Sequence, residues 1–242
     1  MPEKARLYAS THVGHLRASN EDRCRTPDWR TDGGNADWQG PADRTDGWAL
    51  IADGMGGHGA GEVASEIAVE FLARHLSTAS TTECLVDAIQ DASGSIYDAM
   101  STGLGRPAMG TTVVGVMLHS TSCTFFNVGD SRAYILRGRY LKMHSVDHTP
   151  VDSRVPGSRS HALTQSLGGT LDRRKLVPHI EEVAIAPGDV IVLCSDGLTD
   201  LVDEDAIALV LRSGPAHPAT ALVNAALSAG GRDNITVVVV SV

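Results

Sequence analysis

The stretch that most constrains this chain is Ala52-Asp53-Gly54-Met55-Gly56-Gly57-His58-Gly59-Ala60-Gly61-Glu62. The apolar run before it, Trp48-Ala49-Leu50-Ile51-Ala52, reads as a strand that ends in a single carboxylate; glycines follow, and then a helix pattern begins. Backbone without a Cβ turns sharply and brings its own carbonyl oxygens close to a ligand. An acidic side chain beside bare carbonyls is an oxygen-rich corner suited to a hard divalent cation. One such turn is ordinarily only a connection. Here it recurs. Val192-Leu193-Cys194-Ser195-Asp196-Gly197 and Phe126-Asn127-Val128-Gly129-Asp130 are also apolar strands ending in an aspartate next to a glycine, and Asp233 stands at the start of the final strand.

Periodicity fills in the rest. Residues 6–14 read as a first strand, and the polar, Gly/Pro/Asp-rich residues 27–46 read as a surface loop. Val63, Ala64, Ile67, Ala68, Phe71, Leu72 and Leu76 form one apolar stripe of a helix, with Glu62, Glu66 and Glu70 off it. A second helix spans 82–102, with Leu85, Val86, Ile89, Ala92, Ile96 and Met100 inward. Strands at 111–119, 122–128, 131–137 and 140–144 are joined by tight turns, the pattern of an antiparallel meander. After a polar loop at 150–160, strands at 180–185 and 189–195 pair across Pro187-Gly188. Helices at 204–211 and 218–229 precede a last strand, 235–242. Clustered helices and hairpin-linked strands mean α+β with antiparallel sheets, and residues 1–242 are expected to form one domain.

A net charge of −9 excludes a protein that grips a nucleic-acid backbone, which needs a clustered basic face. With aromatics at 4%, the core must be built from Val, Leu, Ile and Ala. Cys24, Cys84, Cys123 and Cys194 lie far apart, which supports neither a disulfide framework nor a structural zinc site. No signal-peptide pattern and no membrane-length apolar run occurs, so the expectation is a cytoplasmic protein without membrane contact.

If Asp53, Asp196 and Asp233 converge, three carboxylates and a backbone carbonyl form an all-oxygen site that favours magnesium or manganese over zinc. Two-metal sites of this kind activate water for displacement at phosphorus, so no side-chain nucleophile is needed. Arg17, just before Asn20-Glu21-Asp22, can supply a guanidinium fork for phosphate, and His58 titrates in the range needed to protonate a leaving alkoxide. The His144/His148 and His12/His15 pairs fall in strands or turns, not along a helix face, and do not read as zinc ligands. Ser131 and Ser195 lack a nucleophile elbow.

Taken in order, Arg17-x-x-Asn20-Glu21-Asp22, Asp53-Gly54-Met55-Gly56-Gly57-His58, Gly110-Thr111-Thr112, Gly129-Asp130-Ser131-Arg132, Leu163-Thr164-Gln165-Ser166-Leu167-Gly168, Ser195-Asp196-Gly197-Leu198 and Asp233-Asn234-Ile235-Thr236 resemble the motifs of the bacterial metal-dependent protein phosphatases, the protein phosphatase 2C family. Each motif is weak alone; seven in sequence order over nearly the whole chain are specific. The resemblance implies a four-layer αββα sandwich of two antiparallel sheets flanked by helices, and hydrolysis of phosphoserine and phosphothreonine with Mn²⁺ or Mg²⁺. By the same resemblance Asp53 bridges two ions, the Gly54 carbonyl holds one, and Asp196 and Asp233 complete the centre. Asp130 joins Asp196 at a third ion, Asp22 acts behind the centre through waters, Arg17 clamps phosphate and His58 is the acid. It further implies a monomer acting on phosphorylated serine/threonine proteins and opposing a bacterial Ser/Thr kinase, as relatives tied to type VI secretion do. Two features depart from the family pattern: residues 27–46 form a longer connection than usual, and residues 149–162 a shorter flap.

Overall fold

Strands covered on both faces read as unbroken apolar runs, and two such strands set the frame of this molecule. β4 (Trp48–Ala52) and β14 (Ile235–Ser241) are buried along nearly their whole length. The computed structural model describes residues 5–56, 60–76, 81–150 and 162–242. Around β4 and β14 stand β1 (Ala5–His12), β2 (Arg23–Arg25), β3 (Ala36–Ala42), β7 (Val113–Leu118), β8 (Ser122–Val128), β9 (Arg132–Arg137), β10 (Tyr140–Met143), β12 (His179–Ala184) and β13 (Val190–Cys194). One sheet runs β10-β9-β13-β14-β1-β3, the other β12-β8-β7-β4-β2, and every pairing is antiparallel. A small third sheet, β11-β6-β5, joins β5 (Gly54–Met55), β6 (Gly110–Thr111) and β11 (Leu167–Gly168).

Side-chain alternation divides the core into three layers. From the two sheets, Leu7, Ile51, Val116, Phe125, Leu193 and Val238 meet between them. Trp48, Leu50, Ala52 and Phe126 face outward onto the helices α1 (Gly61–Leu76) and α2 (Thr82–Thr102). On the far side, Tyr134, Val192, Ile235 and Val237 pack under α3 (Asp196–Thr199), α4 (Glu204–Arg212) and α5 (Pro218–Ser228). The result is the expected four-layer αββα sandwich. No helix among the described residues is long and apolar enough to cross a membrane.

The helices start and stop where their end chemistry dictates. The Thr81 hydroxyl caps α2 by accepting from the Cys84 N–H at 3.2 Å, and Gly103 closes it in the left-handed region at φ 78°. Asp203 caps α4. On α1, Ala64, Ala68, Leu72 and Leu76 are buried as expected, while Val63, Ile67 and Phe71 are partly buried at its flank. Off-stripe Glu66 and Glu70 pair with Arg23, Arg25 and Arg30, tying the helix to β2 and the segment after it.

Three expectations are corrected. Residues 27–46 are not all loop: β3 pairs with β1 as an edge strand, alternating half-buried and exposed along its length. Its signal was masked because an edge strand tolerates Pro41, Gly40 and polar residues. Second, the strands at 122–128 and 131–137 do not form one meander. β7 and β8 pair in one sheet, β9 and β10 in the other, and the chain crosses between sheets at Gly129, with φ 108°. Third, β12 and β13 do not pair with each other: the Pro187-Gly188 turn is another crossing, β12 joining β8 and β13 lying between β9 and β14. Tight turns therefore mark chain reversals here without saying which sheet receives the next strand. Part of the 150–160 loop, from 151, lies outside the described residues.

Packing density at the sheet–helix layer can be tested at Gly115, where an added methyl would overlap the Phe126 ring. Removing a strand glycine gains ~0.5–1 kcal/mol in backbone entropy, but overpacking costs ~1–3 kcal/mol. Gly115→Ala should therefore be destabilised by about 1–2 kcal/mol in urea unfolding. A variant as stable as the parent would mean that the ring has room to swing aside.

Candidate active site

The strand ends place the acidic groups. Asp53 directly follows β4, Asp196 opens α3 immediately after Ser195 at the end of β13, and Asp233 lies two residues before β14. Asp130 sits in the crossing between β8 and β9. All four line one cleft of about 710 Å³ together with Arg17, Glu21, Gly54, Thr112, Leu163 and Asn234. The carboxylates predicted from sequence thus meet at one edge of the sandwich. Among the described residues no three acidic, His or Cys side chains stand close enough together to enclose an ion. Asp233 is held towards the rim, its Oδ2 accepting from Arg17 Nη2 at 2.6 Å.

The Asp53 backbone is fixed by threonine partners, and Asp22 behind it by a hydroxyl. The Asp53 N–H donates to Thr112 Oγ1 at 3.1 Å, and its carbonyl accepts from the Thr112 N–H at 2.9 Å and the Thr111 hydroxyl at 2.8 Å. Thr112 in turn shares a 2.7 Å hydrogen bond with Ser131. Behind them lies Asp22, fully buried, whose Oδ2 accepts from Ser195 Oγ at 2.8 Å. Ser195 Oγ also accepts the Thr236 N–H, and Thr236, Thr11 and Asn20 continue the chain of bonds. Asp22 Oδ1 has no hydrogen-bond partner among the described residues.

Crowding shows in the proton affinities. Burial, and then the charges of Asp22, Asp196, Asp233 and Asp130, push the Asp53 carboxyl well above the usual range. Burial chiefly, with Asp130 and Asp200 next, pushes Asp196 up to about 7. Asp22 is pushed up to about 6 by burial, against the lowering effect of its Thr236 and Ser195 hydrogen bonds. Asp130 is raised by burial and by Asp147 and Asp200. Like charges held together in poorly hydrated surroundings resist ionisation unless a cation joins them.

The Asp130 turn has its own clamp. The Gly129 N–H donates to His148 Nδ1 at 3.0 Å, and its carbonyl accepts the His148 N–H at 2.9 Å. Asn127 bridges to Val146 in both directions, and Arg132 forks onto Asp147, its Nε at 2.9 Å. His148 and His144 are therefore engaged structurally, His144 with Glu181 at 3.0 Å. His58 lies outside the described residues. Sequence reasoning assigned no role to Asn234, yet it holds the whole Arg17 segment. Its Nδ2 donates to the Val13 and Ser19 carbonyls, both at 2.9 Å, and its Oδ1 accepts from the Glu21 N–H at 2.8 Å. Its position beside Asp233 was the available signal.

Comparison with known proteins agrees with this arrangement. Residues 35–229 match the family model described as protein phosphatase 2C. The serine/threonine phosphatase stp of Listeria monocytogenes is 33% identical over 213 residues, covering 79% of this chain and 82% of that protein. PppA, a key regulatory component of the type VI secretion system in Pseudomonas aeruginosa, superposes with a TM-score of 0.78 at 28% identity, over 99% of this chain and 98% of that one. The catalytic domain of the serine/threonine protein phosphatase PstP, in complex with two manganese ions, superposes with a TM-score of 0.79 at 30% identity, over 98% of both chains. With its sandwich fold and its strand-end aspartates gathered at one edge, this chain belongs to the protein phosphatase 2C family.

Proposed function

We propose that this chain is a metal-dependent protein serine/threonine phosphatase acting as one catalytic domain over residues 1–242. The observation that carries this reading is the meeting of Asp53, Asp130, Asp196 and Asp233 in one cleft with Arg17 at its rim. The donor set fits Mn²⁺ or Mg²⁺: it is all oxygen, its carboxyls are raised by burial and mutual repulsion, and the buried Asp22 Oδ1 behind it lacks a hydrogen-bond partner among the described residues. Asp53 would bridge two cations, the Gly54 carbonyl would hold one, and Asp196 and Asp233 would complete the pair. Asp130 with Asp196 would hold a third, while Asp22 would act from behind. When bound, such cations supply Lewis-acid charge to phosphoryl oxygens and make water acidic enough to attack near neutral pH.

The chain's own groups do the rest. Arg17 is 57% exposed, so its ion pair with Asp233 is cheap to exchange, and its planar fork matches a phosphate bidentately. Thr112 and the Thr111 hydroxyl hold the Asp53 backbone in place. His58 would give its proton to the departing serine or threonine oxygen. The substrates are phosphoserine and phosphothreonine proteins, and the enzyme would act as a monomer in the cytoplasm against a bacterial Ser/Thr kinase. The likeness to PppA makes a kinase of a secretion apparatus the first to test.

Three outcomes test the reading. Asp53→Asn should fold normally by circular dichroism yet lose well over tenfold in kcat with saturating Mn²⁺, more than ~1.4 kcal/mol in barrier; activity within tenfold of the parent would remove Asp53 from the centre. His58→Ala should impair phosphopeptide hydrolysis far more than p-nitrophenyl phosphate hydrolysis, because p-nitrophenolate needs no proton to leave. General acid catalysis is worth ~10²–10⁴. Equal losses on both substrates would show that His58 gives no proton.

The third outcome follows from the raised carboxyls. A folded Asp196 binds its proton up to about pH 7, whereas an unfolded aspartate releases it near pH 4. Between those values the folded state carries more protons, so this group's contribution to stability falls as pH rises and is at its worst above pH 7. In chelator, Asp196→Asn should therefore melt at least about 3 °C above the parent at pH 8, roughly 1 kcal/mol at this size. The advantage should shrink towards pH 4. An unchanged melting temperature at pH 8 would mean that Asp196 is not strained by its neighbours.

A further inference from the structure

Beside the cleft the molecule carries a rim opposite in character to its net charge of −9. Two segments build it, the 103–109 turn after α2 and the 169–175 loop after β11. They are joined where the Gly169 N–H donates to the Met109 carbonyl at 2.8 Å. Both abut the cleft wall. A methyl placed on Gly56 would stand 3.2 Å from Met109 Cα, and one on Gly169 would stand 2.9 Å from Met55 Cε; Gly56 and Met55 both line the cleft. The turn passes through Ala108 at φ 61°, the only left-handed residue other than glycine among the described residues. Backbone strain of this kind collects at functional sites.

On this rim Arg106, Arg174 and Lys175 are exposed, and none pairs with a carboxylate among the described residues. Leu104 and Leu171 stand 75% and 77% exposed beside them. The loop is nonetheless fixed. Tyr97 Oη lies 2.6 Å from Thr170 Oγ1, Thr170 donates to the Asp172 carbonyl, and Arg173 pairs with Asp98 while stacking over the Tyr97 ring at 5.9 Å. Gln90 holds the far end, donating to the Arg174 carbonyl at 3.2 Å and accepting the Leu176 N–H at 2.8 Å. Arg173 is thus neutralised in place, and Arg174 and Lys175 are left presented on an anchored backbone. Ser93 accepts the Gly168 N–H at 3.1 Å. Ser93 and Gln90 are three residues apart on α2, a rise of about 4.5 Å, so neighbouring anchors on one helix hold β11 of the small sheet and the backbone of the basic pair.

Resting on the phosphatase reading, we propose that this rim docks the acidic flank of the phosphoprotein substrate. An extended peptide advances ~3.3 Å per residue. With its phosphoryl group in the cleft, its acidic residues about three to six positions away would lie over Arg106, Arg174 and Lys175. A pre-ordered surface loses little freedom on binding, so unpaired cations on it act more fully than flexible ones would. Their attraction is screened by salt over ~8 Å at physiological ionic strength.

The test uses two phosphopeptides, identical except for three glutamates or three lysines at those positions. They are assayed with the parent and with an Arg106→Glu/Arg174→Glu/Lys175→Glu variant at low and high salt. The parent should favour the acidic peptide by about tenfold or more in kcat/KM at low salt, with the gap narrowing as salt rises. The variant should lose or invert the preference while hydrolysing p-nitrophenyl phosphate at the parent's rate. No preference in the parent, or a preference retained in the variant, overturns the docking surface. If the parent hydrolyses neither the peptides nor p-nitrophenyl phosphate, the phosphatase reading fails instead. Fluorescence anisotropy of the same peptides in chelator then decides the surface alone: tighter binding of the acidic peptide to the parent than to the variant supports it, and equal binding removes it.

Discussion

The site depends on holding like charges together. Two carboxylates ~4 Å apart repel by about 4 kcal/mol at an effective dielectric of ~20, and Asp53 feels four others. Only a frame that cannot relax will keep them in one cleft. That frame is the pair of strands buried on both faces, β4 and β14, with β13 between β9 and β14. Asp53 and Asp196 follow β4 and β13 almost directly, and Asp233 just precedes β14. Moving any of these carboxylates away from the others would pull a core strand from between two apolar layers. Apolar burial, at ~25 cal/mol per Å², thus opposes the repulsion, and the polar seam of Asp22, Ser195, Thr236, Thr11 and Asn20 keeps the two sheet ends in register.

Much of this was legible in the sequence because the signals were local. Runs such as Ile235 to Val240 announce a strand with no exposed face, and the α1 and α2 stripes announce helices with one. The aspartates were legible because Asp53, Asp130 and Asp196 stand where an apolar run stops and Asp233 where one is about to begin. What escaped was non-local. Gly129 and Pro187-Gly188 look the same whether the chain turns back into its own sheet or crosses to the other one, and that choice is settled by which apolar face finds a partner. β3 escaped because an edge strand needs only its alternating half-buried positions, and Trp38 satisfies one by stacking on Trp29 at 5.8 Å. Asn234 escaped because its work is done on Val13, Ser19 and Glu21, more than 200 positions away.

The carboxylates differ in how firmly the fold holds them. Asp53 is locked by three bonds to β6 and Thr112, all on core elements. Asp130 rides on a turn clamped from outside by His148, Asn127 and the Arg132–Asp147 fork, and these clamps draw on residues 146–148. Changes in the 146–148 segment therefore reach Asp130 before Asp53, an order of sensitivity built into the topology.

Arg17 and Asp233 complete the picture from the opposite side. Asn234 fixes the segment that carries Arg17 and is the chain neighbour of Asp233, so the proposed phosphate clamp and the proposed cation ligand would share one anchor. The ion pair between them at 2.6 Å is exposed on both sides, and such pairs contribute only ~0–1 kcal/mol. A cation drawing Asp233 inward would meet little resistance from that pair and would leave the guanidinium fork without its carboxylate, facing the cleft where a phosphoryl group enters. If Asp233 serves a cation and Arg17 a phosphate, as proposed, loading the centre and readying the clamp would be one event, and the exposed Arg17–Asp233 pair would oppose the exchange only weakly.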